Sequence, residues 1–423
     1  MSETRSPFQI PGPRSDGAPG APASPPAAGK EGPAAWPPPQ PPGERQGAAW
    51  GERTPEEAGR ERGDRPGTRG AAVETAERPE TARRQEPAAP APRRRRDPYL
   101  DNVKFVLIAL VPIGHSLVPT LAADSARSLY IFVYVFHMPA FVLISGYLSR
   151  NFWHSNAKIN KLVDTLLVPF AVVEVGYAVL RFALGQKWSL TITDPAWLNW
   201  YLLALFLWRI STPLWTRMKQ PLLVAVVIYL AAGFSEISGD FSIDRFFGLL
   251  PFYVLGLMLK PEHFEMLNRT WVKILGVVTL AGAAAVAILI APGQSLAPFY
   301  YKNSYAAMDM SWWMGLSTRM GLLVAALAMT AAVLALVPRK ETWYSDLGTR
   351  TLYAYLLHGV PVLIAKDQGW LDFPWLYGPL GALAISASCF ALAILLCMPI
   401  TRTAFKWMLE PRLTWLYRRS AKQ

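Results

Sequence analysis

The sequence predicts an all-α membrane protein: a polytopic bundle of about ten transmembrane helices behind a disordered N-terminal tail. Three observations carry this expectation. Of the 423 residues 52% are hydrophobic, yet apolar residues are sparse before Pro98 and dominant after Tyr99. Beyond that point, stretches close to 20 apolar residues, the length that crosses a bilayer's hydrocarbon core as a helix, recur almost to the end of the chain. Lys and Arg, in turn, gather in alternate connectors, the pattern of a chain threaded back and forth with its basic loops on one side.

Residues 1–98 are rich in Pro, Gly, Ala, Arg and Glu, with almost no Ile, Leu or aromatics, and cannot bury enough apolar surface to offset chain entropy. They are expected to be a disordered cytoplasmic tail. Its closing run, Arg93 to Arg96, is placed to meet anionic headgroups beside the first span. Nothing at the N-terminus resembles a secretory signal, so the first apolar run is expected to be the first membrane segment. The transmembrane domain is expected over 99–400, and residues 401–423 read as a basic cytoplasmic tail.

In order, the spans are expected at about 102–121, 128–148, 162–184, 196–215, 220–235, 245–260, 271–291, 314–337, 350–366 and 376–400. The fifth and sixth are short, so a tilted or re-entrant segment fits there. Arg150, Lys158 and Lys161 follow the second span, Arg217 and Lys219 the fourth, and Arg339, Lys340 and Arg350 separate the eighth from the ninth. All fall on the same side as the basic C-terminus. The opposite connectors are neutral or acidic apart from Arg127, Lys187 and Lys302. A plasma (inner) membrane protein with both termini cytoplasmic follows. The net charge of +12 is thereby explained by topology, and nucleic acid is not an expected partner. The two cysteines, Cys389 and Cys397, share one apolar run and offer neither a disulfide framework nor metal-ligand spacing. No bound metal is expected.

Three of the five histidines, His115, His137 and His358, fall deep in apolar runs. A titratable group at that depth costs roughly 2 to 3 kcal/mol unless it faces a cavity or a partner, so it reads as functional by default. Lys104 stands eleven positions before His115, at the foot of the first span. A neutral imidazole in a cavity can take a proton from an alcohol and return it, and a cation at the interface can hold a phosphate. The same spacing also fits a snorkelling lysine and a histidine bonded to a neighbouring helix. In the second span Pro139 leaves a carbonyl unbonded one turn back, beside His137, while Ser145 and Gly146 permit close helix contact. Glu174 and Arg319 are costly in lipid, so they are expected to pair or to line a substrate path, and Arg245 is expected to cap the sixth span. Trp312, Trp313, Trp370 and Trp375 lie near span ends, as in an aromatic belt.

Leu100-Asp101-Asn102-Val103-Lys104 with His115, then Phe136-His137-Met138-Pro139 and Ile144-Ser145-Gly146-Tyr147, resemble the signature of the acyltransferase type 3 family. The likeness extends to Trp200 through Arg209, to Arg245 with Pro251-Phe252-Tyr253 and Gly256, and to Tyr355-Leu356-Leu357-His358-Gly359, covering about residues 99 to 400. It is most similar to the branch that includes fucose 4-O-acetylase-like proteins. The resemblance implies a ten-span membrane O-acyltransferase that moves an acyl group, expected to be acetyl, from cytoplasmic acyl-CoA to a hydroxyl of a carbohydrate or glycoside. Acyl-CoA would be a co-substrate, with no permanently bound cofactor. His115 would be the catalytic residue, as base or acyl carrier, with Lys104 as its partner or donor anchor and His137 as the second-span histidine. Donor phosphates would meet Lys104, Arg150, Lys158 and Lys161, and the acceptor would meet Glu174, Arg245, Arg319 and His358. The family's pair of donor-holding arginines three apart is not reproduced, because the position near Arg150 is His154. The chain ends soon after the tenth expected span, so no fused hydrolase-like domain is expected. A transporter or flippase for an envelope glycan or lipid-linked sugar is the competing reading of the same midplane polar groups.

Overall fold

The structure, a computed structural model, describes residues 97–153, 162–195 and 198–411. The predicted N-terminal tail up to residue 96, and the basic end of the chain from 412, lie outside the described residues.

Asp97 opens the first helix, α1 (Pro98–Ser116): its side chain accepts a hydrogen bond from the Tyr99 backbone N–H, and Pro98 takes the first helical position, where no donor is needed. A short turn leads into α2 (Asp124–Ser149). A π-helical turn, Val163–Leu167, runs into α3 (Val168–Ala183). Then come α4 (Trp200–Arg217), α5 (Pro221–Ala231), α6 (Ile243–Gly248), α7 (Leu250–Met258) and α8 (Pro261–Leu267). The remainder are α9 (Thr270–Ile290), α10 (Trp312–Leu336), α11 (Thr351–Leu357), α12 (Gly359–Asp367), α13 (Pro379–Leu396) and α14 (Pro399–Leu409). Among the described residues there are helices and loops only, as the all-α expectation required.

Helix occurs in each of the ten predicted stretches, but not always as one spanning helix. Among the described residues, five helices are long and apolar enough to cross a membrane, and six if a bent pair is counted as one span. That pair, Asp240–Gly248 with Leu250–Met258, turns through 63° where the short sixth span was expected. Pro251 at the start of α7 cannot donate to the preceding turn, which explains the break. The ninth stretch is likewise divided, at His358, between α11 and α12.

The core is organised around α2. Two-thirds of its most apolar window, 67%, is buried, against 11% for α9, which therefore reads as a peripheral, lipid-facing helix. Helices α1, α7, α9 and α10 pack directly on α2. The approach of α2 to α7 depends on glycine: a Cβ on Gly146 would stand 2.2 Å from the Tyr253 carbonyl oxygen, and one on Gly256 2.1 Å from that of Leu143. Small residues are what let two helix backbones come this close in a membrane. The carbonyl left unbonded by Pro139 is that of Val135, and the Tyr301 hydroxyl donates to it at 2.7 Å.

Candidate active site

Helix α1 carries Lys104, Ile108, Val111 and His115 at spacings of four, three and four, which a period of 3.6 residues places on one face. The first three line a cavity of about 260 Å³. Running the other way, α2 contributes Met138, Phe141, Ser145 and Leu148; α4 adds Tyr201, Leu205 and Arg209; α11 adds Thr351 and Tyr355; and the π-helical turn closes the side with Thr165 and Leu166. Its walls are mainly apolar. The polar groups concentrate at the end marked by Lys104 and Arg209, with Ser145 and Tyr201 sharing a 2.6 Å hydrogen bond further in.

Just beyond the other end lie the three histidines, His115 and His358 in contact and His137 joined to them through Tyr134. His115 lies four residues past Val111, His137 precedes Met138, and His358 lies three past Tyr355, so each is about one turn or less from a residue lining the cavity. His115 and His358 stack with ring centroids 5.5 Å apart at 28°. Tyr134 packs edge-on against His137 at 4.8 Å, and also against Gly114 beside His115. His137 and His358 are fixed in the same manner: each has Nδ1 2.8 Å from the carbonyl four residues earlier, Val133 and Ala354 respectively. A carbonyl only accepts, so each Nδ1 carries the hydrogen and each Nε2 is the bare nitrogen of the neutral ring. The Nε2 of His358 is buried without a hydrogen-bond partner. His115, in the last turn of α1, is half-buried, whereas His137 is 4% exposed and His358 is fully enclosed.

Lys104 is not in contact with this cluster. Eleven helical residues separate it from His115, about 16 Å at 1.5 Å per residue. Its amine lies 2.6 Å from the Asp101 carboxylate, one turn away at the cavity's other end. Arg150, the expected donor contact, is engaged elsewhere: its guanidinium donates to the carbonyls of Tyr147 and Leu259, at 3.1 and 2.5 Å, and lies over the Tyr147 ring. Arg209 takes the place beside Lys104, its Nε 3.4 Å from the Ser149 hydroxyl and its guanidinium over Phe152. Lys158 and Lys161 lie outside the described residues.

Glu174 and Arg319 do not meet. Glu174 accepts from the Asn199 amide at 3.0 Å, which also donates to the Phe170 carbonyl. Arg319 donates to the backbone carbonyls of Tyr229 and Asn303, so it ties loop to helix. Arg245, on the short arm of the bent pair, lies over the Trp200 ring at 4.8 Å, and its charge reaches His115 and Tyr134. Tyr201, Arg209 and Tyr355 line the cavity, but in the sequence they stand only as members of motif stretches, without a site role. The signal was there in part, since Tyr201, Leu205 and Arg209 repeat every four residues inside a stretch already recognised by resemblance. Among the described residues no three His, Cys, Asp or Glu side chains form a set able to hold a metal ion.

A family model described as an acyltransferase domain, that of the acyltransferase type 3 family, matches residues 97–402. No curated protein and no solved structure matches the chain. The match spans every described helix except the end of α14, and with it the cavity and all three histidines. The chain therefore belongs to the acyltransferase type 3 family and is a membrane acyltransferase.

Proposed function

We propose that this protein transfers an acetyl group from cytoplasmic acetyl-CoA to a hydroxyl of a carbohydrate or glycoside acceptor, with His115 as the general base. The observation that carries the reading is the single face of α1, which joins a cation at one end of the cavity, Lys104, to a histidine beyond its far end. Lys104 and Arg209 are suited to the phosphates of the donor, and the apolar walls to its slender thioester arm. The acyl carbon is then delivered past Val111, Met138 and Tyr355 to the histidines. His115 takes the proton of the acceptor hydroxyl as its oxygen attacks the thioester carbonyl. The new C–O bond forms, the C–S bond breaks, and the imidazolium returns the proton to the departing thiolate, leaving an ester and free coenzyme A. His358, its Nε2 buried and bare, stands against the ring that becomes charged. The carbohydrate acceptor follows from the motifs' likeness to the fucose 4-O-acetylase-like branch.

Purified protein in nanodiscs, given acetyl-CoA and a cell-envelope extract, should release free thiol only when the extract is present, and the release should vanish in folded His115→Ala. Thiol release that persists in that variant would remove His115 from the reaction.

A further inference from the structure

Two cations on the far side of the histidines, Arg245 and Lys302, have no side-chain hydrogen bond or ion pair among the described residues. Arg245 is held unlike Arg150, Arg319 and Arg350, which are half-buried or buried in the bundle. Arg150, Arg319 and Arg350 direct their N–H groups at carbonyls or carboxylates within the fold. Arg245 is instead positioned through the flat face of its guanidinium, over Trp200, and among the described residues none of its side-chain N–H groups has a hydrogen-bond or ion-pair partner. A stacked guanidinium keeps its fork of donors available, and that fork matches a carboxylate or phosphate.

A second cation converges on it. Lys302, in the loop between α9 and α10, is half-buried and has no ion pair within the described residues; its loop presses on the end of α6, where a Cβ on Gly248, one turn past Arg245, would overlap the Tyr301 carbonyl, and Tyr300 packs edge-on against Tyr134 beside the histidines. Burial, reinforced by Arg245, pushes its amine below the usual lysine value, while Asp244 and Asp194 pull the other way. The Asp244 carboxylate is itself occupied in part by the Arg245 backbone N–H, at 2.7 Å. Two half-buried like charges held together beside a reacting histidine form an anion site, since an anion between them relieves both repulsion and desolvation.

We infer that the acceptor is anionic: a carboxylate or phosphate on or beside its sugar seats between Arg245 and Lys302 while the hydroxyl to be acylated faces His115. The inference rests on the acyl-transfer reading for the identity of the bound molecule, but the anion site is testable without turnover.

The test uses full-length His115→Ala protein in nanodiscs, which holds an acceptor without consuming it, and follows thermal unfolding with methyl glucuronide, glucose 6-phosphate or methyl glucoside. Either anionic sugar should bind about tenfold or more tightly than the glucoside. The preference should collapse toward one in Arg245→Gln and in Lys302→Gln, and return only in part in Arg245→Lys, which restores the charge but not the fork. Unliganded melting curves identify a variant that has failed to fold, and two separate positions keep the outcome decisive. The glucuronide and phosphate arms show whether the carboxylate or the phosphate form is preferred. Equal binding of all three sugars, binding of none, or a preference that survives both substitutions overturns the inference. Selective anion binding by His115→Ala, combined with absence of acyl transfer in the wild type, would overturn the acyl-transfer reading and leave the anion site standing. Transfer by the wild type without selective binding would do the reverse.

Discussion

At the scale of single residues the proposed reaction divides the site into groups that would act on the donor, groups that would act on protons, and groups that hold the fold. His115→Ala should lower the rate of thiol release about 10²- to 10⁴-fold, the usual contribution of a positioned general base, with an unchanged melting temperature. Arg209 lines the cavity beside Lys104; if it holds the donor as proposed, Arg209→Met should raise the KM for acetyl-CoA about tenfold with little effect on kcat, because such a contact would be made in ground and transition state alike. Arg150→Met should leave that KM alone and instead lower stability by about 1 kcal/mol, since it strips a donor from the carbonyls of Tyr147 and Leu259. Donor titrations and thermal unfolding of the two variants, run side by side, decide which arginine serves the cavity. The sequence puts Arg150 in a basic connector, but charge asymmetry bears on which side an arginine lies, not on what its guanidinium touches. The histidines were legible because an ionisable group deep in an apolar run has few structural excuses. Their mutual stacking was not, because it joins α1 to the break between α11 and α12, over 240 residues away.

At the scale of elements, close packing and backbone satisfaction govern. Gly146→Ala would drive a methyl group into the Tyr253 carbonyl and force α2 from α7, at a cost of about 1 to 3 kcal/mol. Tyr301→Phe would leave the Val135 carbonyl without its hydroxyl donor and should cost roughly 0.6 to 1.5 kcal/mol, measured as a lower melting temperature in detergent. Both positions illustrate how far sequence carries. Gly146 and Pro139 announced a close contact and an unbonded carbonyl. The partners, Gly256 and Tyr301, come from distant segments that no local period identifies. The two short stretches show a related limit: apolar composition alone does not distinguish one straight span from the 63° elbow that α6 and α7 form.

At the scale of the whole molecule, the order of features along one axis matters most: Lys104 and Arg209 at one end of the cavity, and the histidines beyond its other end. If that axis crosses the bilayer, donor and acceptor arrive from opposite faces. Cys389 and Cys397 are both buried, so single cysteines introduced as Lys340→Cys and Glu236→Cys, at exposed positions, can be labelled selectively. They should react with an impermeant maleimide from opposite sides of a sealed vesicle. Equal labelling from one side would refute the basic-loop topology on which the donor's direction of entry depends.

The most direct test of the central claim is sidedness of the reaction in sealed proteoliposomes selected for one orientation by that label. Acetyl-CoA supplied on the Lys340 side, with acceptor on the other, should yield acetylated acceptor on the acceptor's side, and reversing the two compartments should yield none. Product formed only when both substrates share one compartment would contradict a cavity that carries the acyl group from one face of the membrane to a histidine serving the other.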